Sequence, residues 1–306
     1  MKVGVYSHCT IDTIMYGNTS YEVAGGPACY CSLTLRNQKF DVNLSTKYGK
    51  DFPLTEFFEK NKINVPEYSS TTDTTRFKII LNDSERELLI QNRCEPLEFV
   101  DEKNDGIIIS PVYDEISMDL FEEIKASSKF IFLDPQGFLR EHDLEKRISL
   151  KETKLDLNGV SAIKVNPEEL WALTGAYDDS ALLSLQNFGV ENVIFTNKQD
   201  VSLLVKDKIY SIHLPILELV DTTGVGDIFS ATFCCTMLRK KDFLWALSFA
   251  GGAAQAALAT KYFGIEKVPQ KDAIEKFGSY FYNMLTSVSY THLRAHETRE
   301  DRGWRG

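Results

Sequence analysis

The stretch richest in chemistry is Leu219-Val220-Asp221-Thr222-Thr223-Gly224-Val225-Gly226-Asp227, which runs into an apolar helical pattern. Small residues from Thr222 to Gly226 allow successive backbone N–H groups to converge on an anion, and a helix macrodipole behind them adds positive potential. Glycines at 224 and 226 let the backbone approach a phosphate with no Cβ between them. Asp227 stands at the mouth of that hole. A carboxylate there can take the proton of an alcohol attacking a phosphoryl group, while the amides stabilise the developing charge. The same residues also suit a plain helix start, with Asp221 or Asp227 as N-cap and glycines for a tight turn. Spacing alone leaves the two readings level. A dinucleotide fingerprint fits less well, because Phe229 occupies the third glycine position and the loop falls late in the chain. No GxxxxGK(S/T) loop occurs, which sets a Walker-type NTPase aside.

Weaker signals accompany this loop. In Gly25-Gly26-Pro27-Ala28, two glycines ahead of a proline suit a hinge followed by a helix start. Asn166 and Glu169, three apart at a helix start, form either a capping box or a pair able to hold a hydrated Mg²⁺. Arg76, Arg86 and Arg93 could reach a charged substrate group, although solvated positions on a sheet explain them as well. His8 is expected to pack at the end of the first strand and His213 to lie on a strand, neither with a catalytic role. The six cysteines include no CxxC pair and no zinc-finger spacing, so they read as free, mostly buried thiols.

The elements that must position these residues alternate between strand and helix. Short, continuous apolar runs predict strands at Val3–Ser7, Val42–Tyr48, Gly106–Ser110, Lys129–Asp134, Ala162–Asn166 and Asn192–Thr196, as expected of strands covered on both faces. Helical patterns fall between them at Pro27–Arg36, Leu54–Asn61, Asp114–Ala126, Pro167–Leu173 and Ser180–Asn187. After Asp221 the chain turns helical, with Asp227–Leu238, Phe243–Lys261 and Lys271–Leu285. The sum is an α/β fold, a mostly parallel sheet with helices on both faces. Two segments break the rhythm. Ile11–Tyr21, and Thr74–Ile90 with its Asn82-Asp83-Ser84 turn signal, predict a small second sheet that projects as a lid, built from about residues 11–24 and 74–92.

A formal net charge of −10 argues against a general nucleic-acid binder but leaves a small phosphate site possible. No long apolar segment opens the chain. Phe243–Ala259, which contains Ser248, Gly251, Gly252 and Gln255, is short for a membrane span and reads as a buried helix. The expectation is a cytoplasmic protein with no membrane partner. Residues 287–306 lack apolar periodicity and carry four arginines. Within them Val288–Thr298, VSYTHLRAHET, resembles the conceptual translation of a sequencing-library adapter. The tail is therefore expected to be non-native, with the native domain confined to residues 1–286.

Asp221-Thr222-Thr223-Gly224-Val225-Gly226-Asp227 closely resembles the C-terminal motif of the PfkB, or ribokinase-like, carbohydrate kinases, with Val225 where alanine is usual. Further landmarks fall in family order. Gly25-Gly26-Pro27-Ala28 resembles the N-terminal double-glycine motif. Asp12 follows the first strand, where the family places a carboxylate that binds substrate hydroxyls, although Ser7 and Thr10 replace the usual glycine and asparagine upstream. Tyr48-Gly49-Lys50-Asp51 resembles an early glycine–aspartate turn, Asp134-Pro135-Gln136 an Asp-Pro-Asn turn, and Asn166-Pro167-Glu168-Glu169 the NxxE element. Thr196 stands where the family has a threonine near the nucleotide, but the glycines that usually follow are absent. The small-residue run Ala250–Ala254 suits close helix packing and, in the family, borders the adenine pocket.

The resemblance implies a ribokinase-like fold and an ATP- and Mg²⁺-dependent kinase acting on a small polyol. Asp227 would be the base, and Thr223, Gly224, Val225 and Gly226 the anion hole. Asp12, Gly25 and Gly26 would bind the acceptor. Asn166, Glu169 and Thr196 would organise the nucleotide and a Mg²⁺ held through water, with no direct protein ligand. The acceptor could be a sugar, an inositol or a nucleoside. Ser7–Asp12 and Ser110–Glu115 resemble inositol-kinase-like and archaeal members. Lid sheets in this family can pair between subunits, which allows a homodimer. The alternative is a non-catalytic regulatory binder of nucleotide or sugar, a type that loses the terminal aspartate or the glycines kept here.

Overall fold

The computed structural model describes residues 1–65, 70–81, 86–215 and 222–289. Its central sheet contains nine strands among these residues. Six run parallel: β1 (Lys2–Tyr6), β4 (Asp41–Ser45), β7 (Gly106–Ile109), β8 (Ile131–Leu133), β11 (Ala162–Val165) and β12 (Asn192–Asn197). Three antiparallel strands extend one edge: β13 (Asp200–Val205), β14 (Lys208–His213) and β15 (Thr286–Ser289). Across the sheet the order is β15-β14-β13-β12-β11-β8-β7-β1-β4. The direction of chain progression reverses at β1 and β7. In open α/β sheets ligands bind beyond the carboxyl ends of the strands at such a reversal.

The apolar runs alternate their side chains between two cores. Val3, Val5, Ile108 and Phe132 face one, with buried residues of helices α1 (Pro27–Asn37), α7 (Val225–Lys240) and α8 (Phe243–Leu258). Ile107, Ile109, Leu133 and Ile163 face the other, with residues of α3 (Met118–Ala126), α5 (Pro167–Thr174) and α6 (Asp179–Asn187). A sheet buried on both faces needs this double apolar set, which is why its strands read as continuous hydrophobic runs. The remaining helices are α2 (Thr55–Lys60), α4 (Gln136–Leu139) and α9 (Lys271–Met284). The glycine stripe of α8 serves packing. A Cβ on Gly252 would lie 2.5 Å from the backbone nitrogen of Gly278 on α9.

The small sheet is present, in the order β3-β2-β5-β6. It comprises β2 (Thr10–Tyr16), β3 (Thr19–Gly25), β5 (Thr75–Leu81) and β6 (Arg86–Asn92). The central pair β2–β5 is parallel and the outer pairs are antiparallel. The turn signal Asn82-Asp83-Ser84 lies outside the described residues. A hairpin of β9 (Arg140–His142) and β10 (Ile148–Leu150) joins this sheet to the body, with Ile90 N–H donating to Lys146 O at 2.9 Å.

Three differences from the sequence reading have physical causes. The β13–β14 hairpin carries no glycine or asparagine at its turn, where Lys206 instead adopts a left-handed φ of 56°, so no turn signal marked it. Helix α3 begins at Met118 rather than Asp114, because Ser117 caps it and Asp114 takes a left-handed φ of 52°. Ser287–Ser289 lie in β15, paired to the edge of β14 through backbone bonds that do not depend on side-chain identity. The rest of the anomalous tail, residues 290–306, lies outside the described residues. All six cysteines are free and buried. No helix among the described residues is long and apolar enough to cross a membrane.

Candidate active site

A cavity of about 280 Å³ opens beyond the carboxyl ends of the parallel strands. Its floor comes from the ends of β8 and β11 and from the start of α7, and the small sheet forms one wall through Phe77, Ile79 and Leu88. Asp12, on β2, faces in from the same side.

Helix α7 starts at Val225, so Asp227 falls in its first turn, where it is buried. The N-cap is Gly224 at φ 74°, and no side chain caps the helix. A Cβ at Gly224 would meet the ring of Tyr30 at 2.5 Å, so both the conformation and the space demand glycine. The Tyr30 ring also fills the space beside Gly25, at 2.8 Å from where its Cβ would stand. Gly26, at φ 76°, lies against His8 O and Thr10 N. One aromatic ring therefore seats both glycine motifs, which are about two hundred residues apart in the chain.

Charge is concentrated on the floor. Lys164 Nζ lies 2.7 Å from Asp134 Oδ2, and both side chains are buried. Burial opposes a charge on Lys164, but Asp134, Glu169 and Asp227 outweigh it, and its pKa is raised. Asp227 is pushed up to about 7, first by burial and then by the charge of Asp134. Lys164 and Arg140 pull it back down, and Asp12 adds to the rise. Glu169 is likewise raised, by burial first and Asp134 second. Asn166 and Glu169 form a reciprocal capping box at the start of α5. Glu169 N–H donates to Asn166 Oδ1 at 2.8 Å, and Asn166 N–H donates to Glu169 Oε2 at 2.9 Å. Both residues also line the cavity, so capping and a place in the site coexist.

Of the residues singled out from sequence, Asp12, Gly26, Asn166, Glu169, Thr223, Gly224, Gly226 and Asp227 line this one cavity. Gly25 and Val225 sit beside it, at the end of β3 and the start of α7. Thr196 is on β12 and does not line it; its hydroxyl faces Val165 O at 3.4 Å. Asp221 lies outside the described residues. The lid arginines are engaged elsewhere: Arg76 bonds Asp51 and Glu22, and Arg93 bonds Asp114. Nothing is described of the Arg86 side chain. His8 is a buried strut, with its ring between Thr75 Oγ1 and Glu95 O, and burial lowers its pKa. His213 ends β14 and pairs with Asp200.

Two charged lining residues escaped the sequence reading. Lys164 carried a signal, a lone charge inside an apolar strand run, which a doubly covered strand tolerates only with a partner. Arg140 carried none. It follows the single turn of α4 and reaches the cavity only because that turn redirects the chain.

Comparison with known proteins bears on this arrangement. Residues 3–270 match the family described as pfkB family carbohydrate kinase. A ribokinase of Arabidopsis thaliana is 25% identical over 193 residues, 60% of this chain and 48% of that protein, so the match spans about half of the relative's length. A pyrophosphate-dependent kinase of the ribokinase family, solved with sulfate, superimposes with a TM-score of 0.77 at 19% identity, covering 90% of this chain and 99% of that one. The Arabidopsis thaliana ribokinase with ribose and ATP gives 0.72 at 17% identity, over 90% and 98%. A nucleoside kinase of Methanocaldococcus jannaschii gives 0.69 at 17%, over 91% and 98%. At these identities the structural likeness speaks for the fold.

Proposed function

The chain belongs to the pfkB family of carbohydrate kinases, and on that premise we propose that it transfers the γ-phosphoryl group of ATP to a hydroxyl of a small polyol: a sugar, an inositol or a nucleoside. The observation that carries this reading is the burial of Asp227 in the first turn of a glycine-capped helix, in one cavity with Asp12. The acceptor lies between Asp12, the Gly25-Gly26 segment and the wall of the small sheet. Asp227 takes the proton of the attacking hydroxyl. The acceptor oxygen bonds to phosphorus as the bond to the leaving oxygen breaks, and that electron pair departs with ADP. Backbone N–H groups of the Thr223–Gly226 loop face the charge on the transferred group, except that of Val225, which donates to Thr222 O at 3.3 Å, and the helix dipole reinforces them. The apolar wall keeps water from competing with the acceptor.

The residues on the floor suit a hydrated Mg²⁺. Asp134 Oδ1 is buried with no hydrogen-bond partner among the described residues, and Asp134 and Glu169 line the same cavity as oxygen donors of the kind that Mg²⁺ favours. Asn166 and Glu169 would hold the ion through water, and it would supply neutralisation of the donor phosphates.

Of the structural relatives, one is complexed with ribose and ATP and another is pyrophosphate-dependent, so the test offers both donors. The folded chain is incubated with each donor against ribose, myo-inositol, nucleosides and fructose 6-phosphate, and ADP or phosphate release is followed. Acceptor-dependent release establishes the kinase and names its acceptor. Donor binding without release on any acceptor would make the protein a non-catalytic binder.

A further inference from the structure

We propose that the cleft between the end of α7, the start of α8 and the start of α9 binds a small anion built on a planar ring. This second cavity, of about 250 Å³, shares no lining residue with the first. A tight helix–helix turn creates it. Lys241, with a left-handed φ of 53°, ends α7, and Asp242 caps α8 by accepting the N–H of Leu244 at 2.9 Å and of Trp245 at 3.1 Å. The turn places the cations that close α7, Arg239 and Lys240, in one lining with the aromatic side chains that open α8. Those rings are held in place. Trp245 stacks on Tyr282 of α9, with 4.0 Å between centroids and 10° between planes, and meets Phe249 edge-on at 5.2 Å. Trp245 and Phe249 both line the cleft and are half-buried. A fixed, partly open aromatic surface takes a flat ring at little ordering cost.

Charge in the cleft runs against the molecule as a whole. The chain carries −10, yet the lining holds Arg239, Lys240 and Lys271 with one carboxylate, Glu275. Arg239 is anchored by neutral partners. Its Nη2 donates to Gln38 O at 2.6 Å, and its guanidinium carbon lies 4.7 Å from the ring centroid of Phe40. Lys240 has no ion-pair partner among the described residues. The dipole of α7 accounts for cations in its last turn. It does not account for Lys271, which stands at the first position of α9, where a helix dipole disfavours positive charge. The pair of Lys271 with Glu275 at 3.1 Å is the weaker orientation too, with the lysine on the N-terminal side. An anion in the cleft meets all three cations while its ring lies on the Trp245 floor. The volume falls below that of pockets for drug-sized ligands, which limits the ligand to one small ring system bearing a carboxylate or a phosphate.

The test uses the full chain and four probes followed by calorimetry. Phenyl phosphate and phenylacetate carry ring and anion, benzyl alcohol the ring alone, and inorganic phosphate the anion alone. Each is titrated with and without pyrophosphate, which competes in the first cavity. At least one ring-bearing anion is expected to bind without displacement by pyrophosphate, and benzyl alcohol and inorganic phosphate to bind tenfold or more weakly. The better of phenyl phosphate and phenylacetate names the anionic group. Lys240→Met should weaken that probe about tenfold, as losing a bond to a charged group does. Trp245→Leu should weaken it about three- to tenfold, and neither variant should alter pyrophosphate affinity. If Trp245→Leu does not fold, Lys240→Met decides, since that side chain is exposed. The proposal is overturned if neither ring-bearing anion binds at millimolar concentration, if benzyl alcohol binds as well, if pyrophosphate displaces the probe, or if folded Lys240→Met keeps full affinity. None of these outcomes bears on the kinase reading, whose residues belong to the other cavity.

Discussion

The floor and the wall of the cavity meet the same ligand space with different materials. The floor packs Asp134, Lys164, Glu169 and Asp227 at the ends of β8 and β11 and the starts of α5 and α7, all buried. The wall offers Phe77, Ile79 and Leu88, and its polar fastenings lie toward solvent, such as Arg76 to Asp51 and Glu22. Burying several charges together costs stability unless each is paired, and the floor bears that cost where chemistry needs ionised groups at fixed positions. The wall needs only an apolar face that excludes water. Substitutions on the floor should therefore reach turnover and stability together, and substitutions on the wall should reach substrate retention.

The largest effect is expected at Asp227. Asp227→Asn should lower kcat by roughly 10²–10⁴, the range for a general base, with the fold intact. Its pH behaviour sharpens the comparison. The folded pKa of about 7 lies above the ordinary aspartate value of 3.8, so the folded state binds the proton more tightly than the unfolded chain. Stability from this group is full below pH 4 and is lost as pH rises toward 7. The groups facing it are Asp134 from β8, Lys164 from β11, Asp12 from β2 and Arg140. The asparagine variant should thus melt above wild type at pH 8 and close to it at pH 4. In wild type the acid limb of kcat/KM should fall near pH 7, since that quantity reports the free enzyme. Wild-type turnover in the variant would remove Asp227 from the role of base.

Next is Lys164→Met. It leaves Asp134 buried without its ion-pair partner, and breaking such a pair from one side costs roughly 3–5 kcal/mol. Urea denaturation reads the loss, and Asp134→Asn in the same chain should return part of it. A loss under about 1 kcal/mol would mean that Asp134 finds water or another donor in place of the lysine.

The same contrast explains what could be read from sequence. Asp227, Gly224 and Gly226 were singled out by resemblance, since their spacing alone suits a plain helix start equally well, and the structure brings all three to the lining of one cavity. The parallel strands were legible as unbroken apolar runs, and the small sheet as a break in rhythm richer in threonine, tyrosine and charge. Thr196 was placed near the nucleotide by resemblance, and its hydroxyl donates to Val165 O of the neighbouring strand at 3.4 Å. Lys164 was visible in the run Ala162-Ile163-Lys164-Val165, but only if one asks where a charge in a doubly covered strand finds its partner. Arg140 was not visible, because its place in the cavity lining follows from the one-turn helix that precedes it. The β13–β14 hairpin was hidden by a turn made of Lys206 and Asp207.

The smallest expected effect tests the wall. Arg76 donates from Nε and Nη2 to Asp51 Oδ2 at 3.1 and 2.8 Å, and from Nη1 to Glu22 at 3.1 Å. Asp51 also accepts the N–H and hydroxyl of Thr74, and these bonds hold its carboxyl below the ordinary range despite the opposing effect of burial. The arginine thus ties β5 across β2 to β3, and also to the turn that holds Asp51. Its side chain is 28% exposed, so solvent screens the pair and Arg76→Gln should cost about 0.5–1 kcal/mol. If that loss is felt as a looser wall, acceptor KM rises about two- to fivefold, at tenfold per 1.4 kcal/mol, and kcat holds. A fall in kcat approaching that of Asp227→Asn would break the division, because the wall would then be positioning the reacting atoms rather than enclosing them.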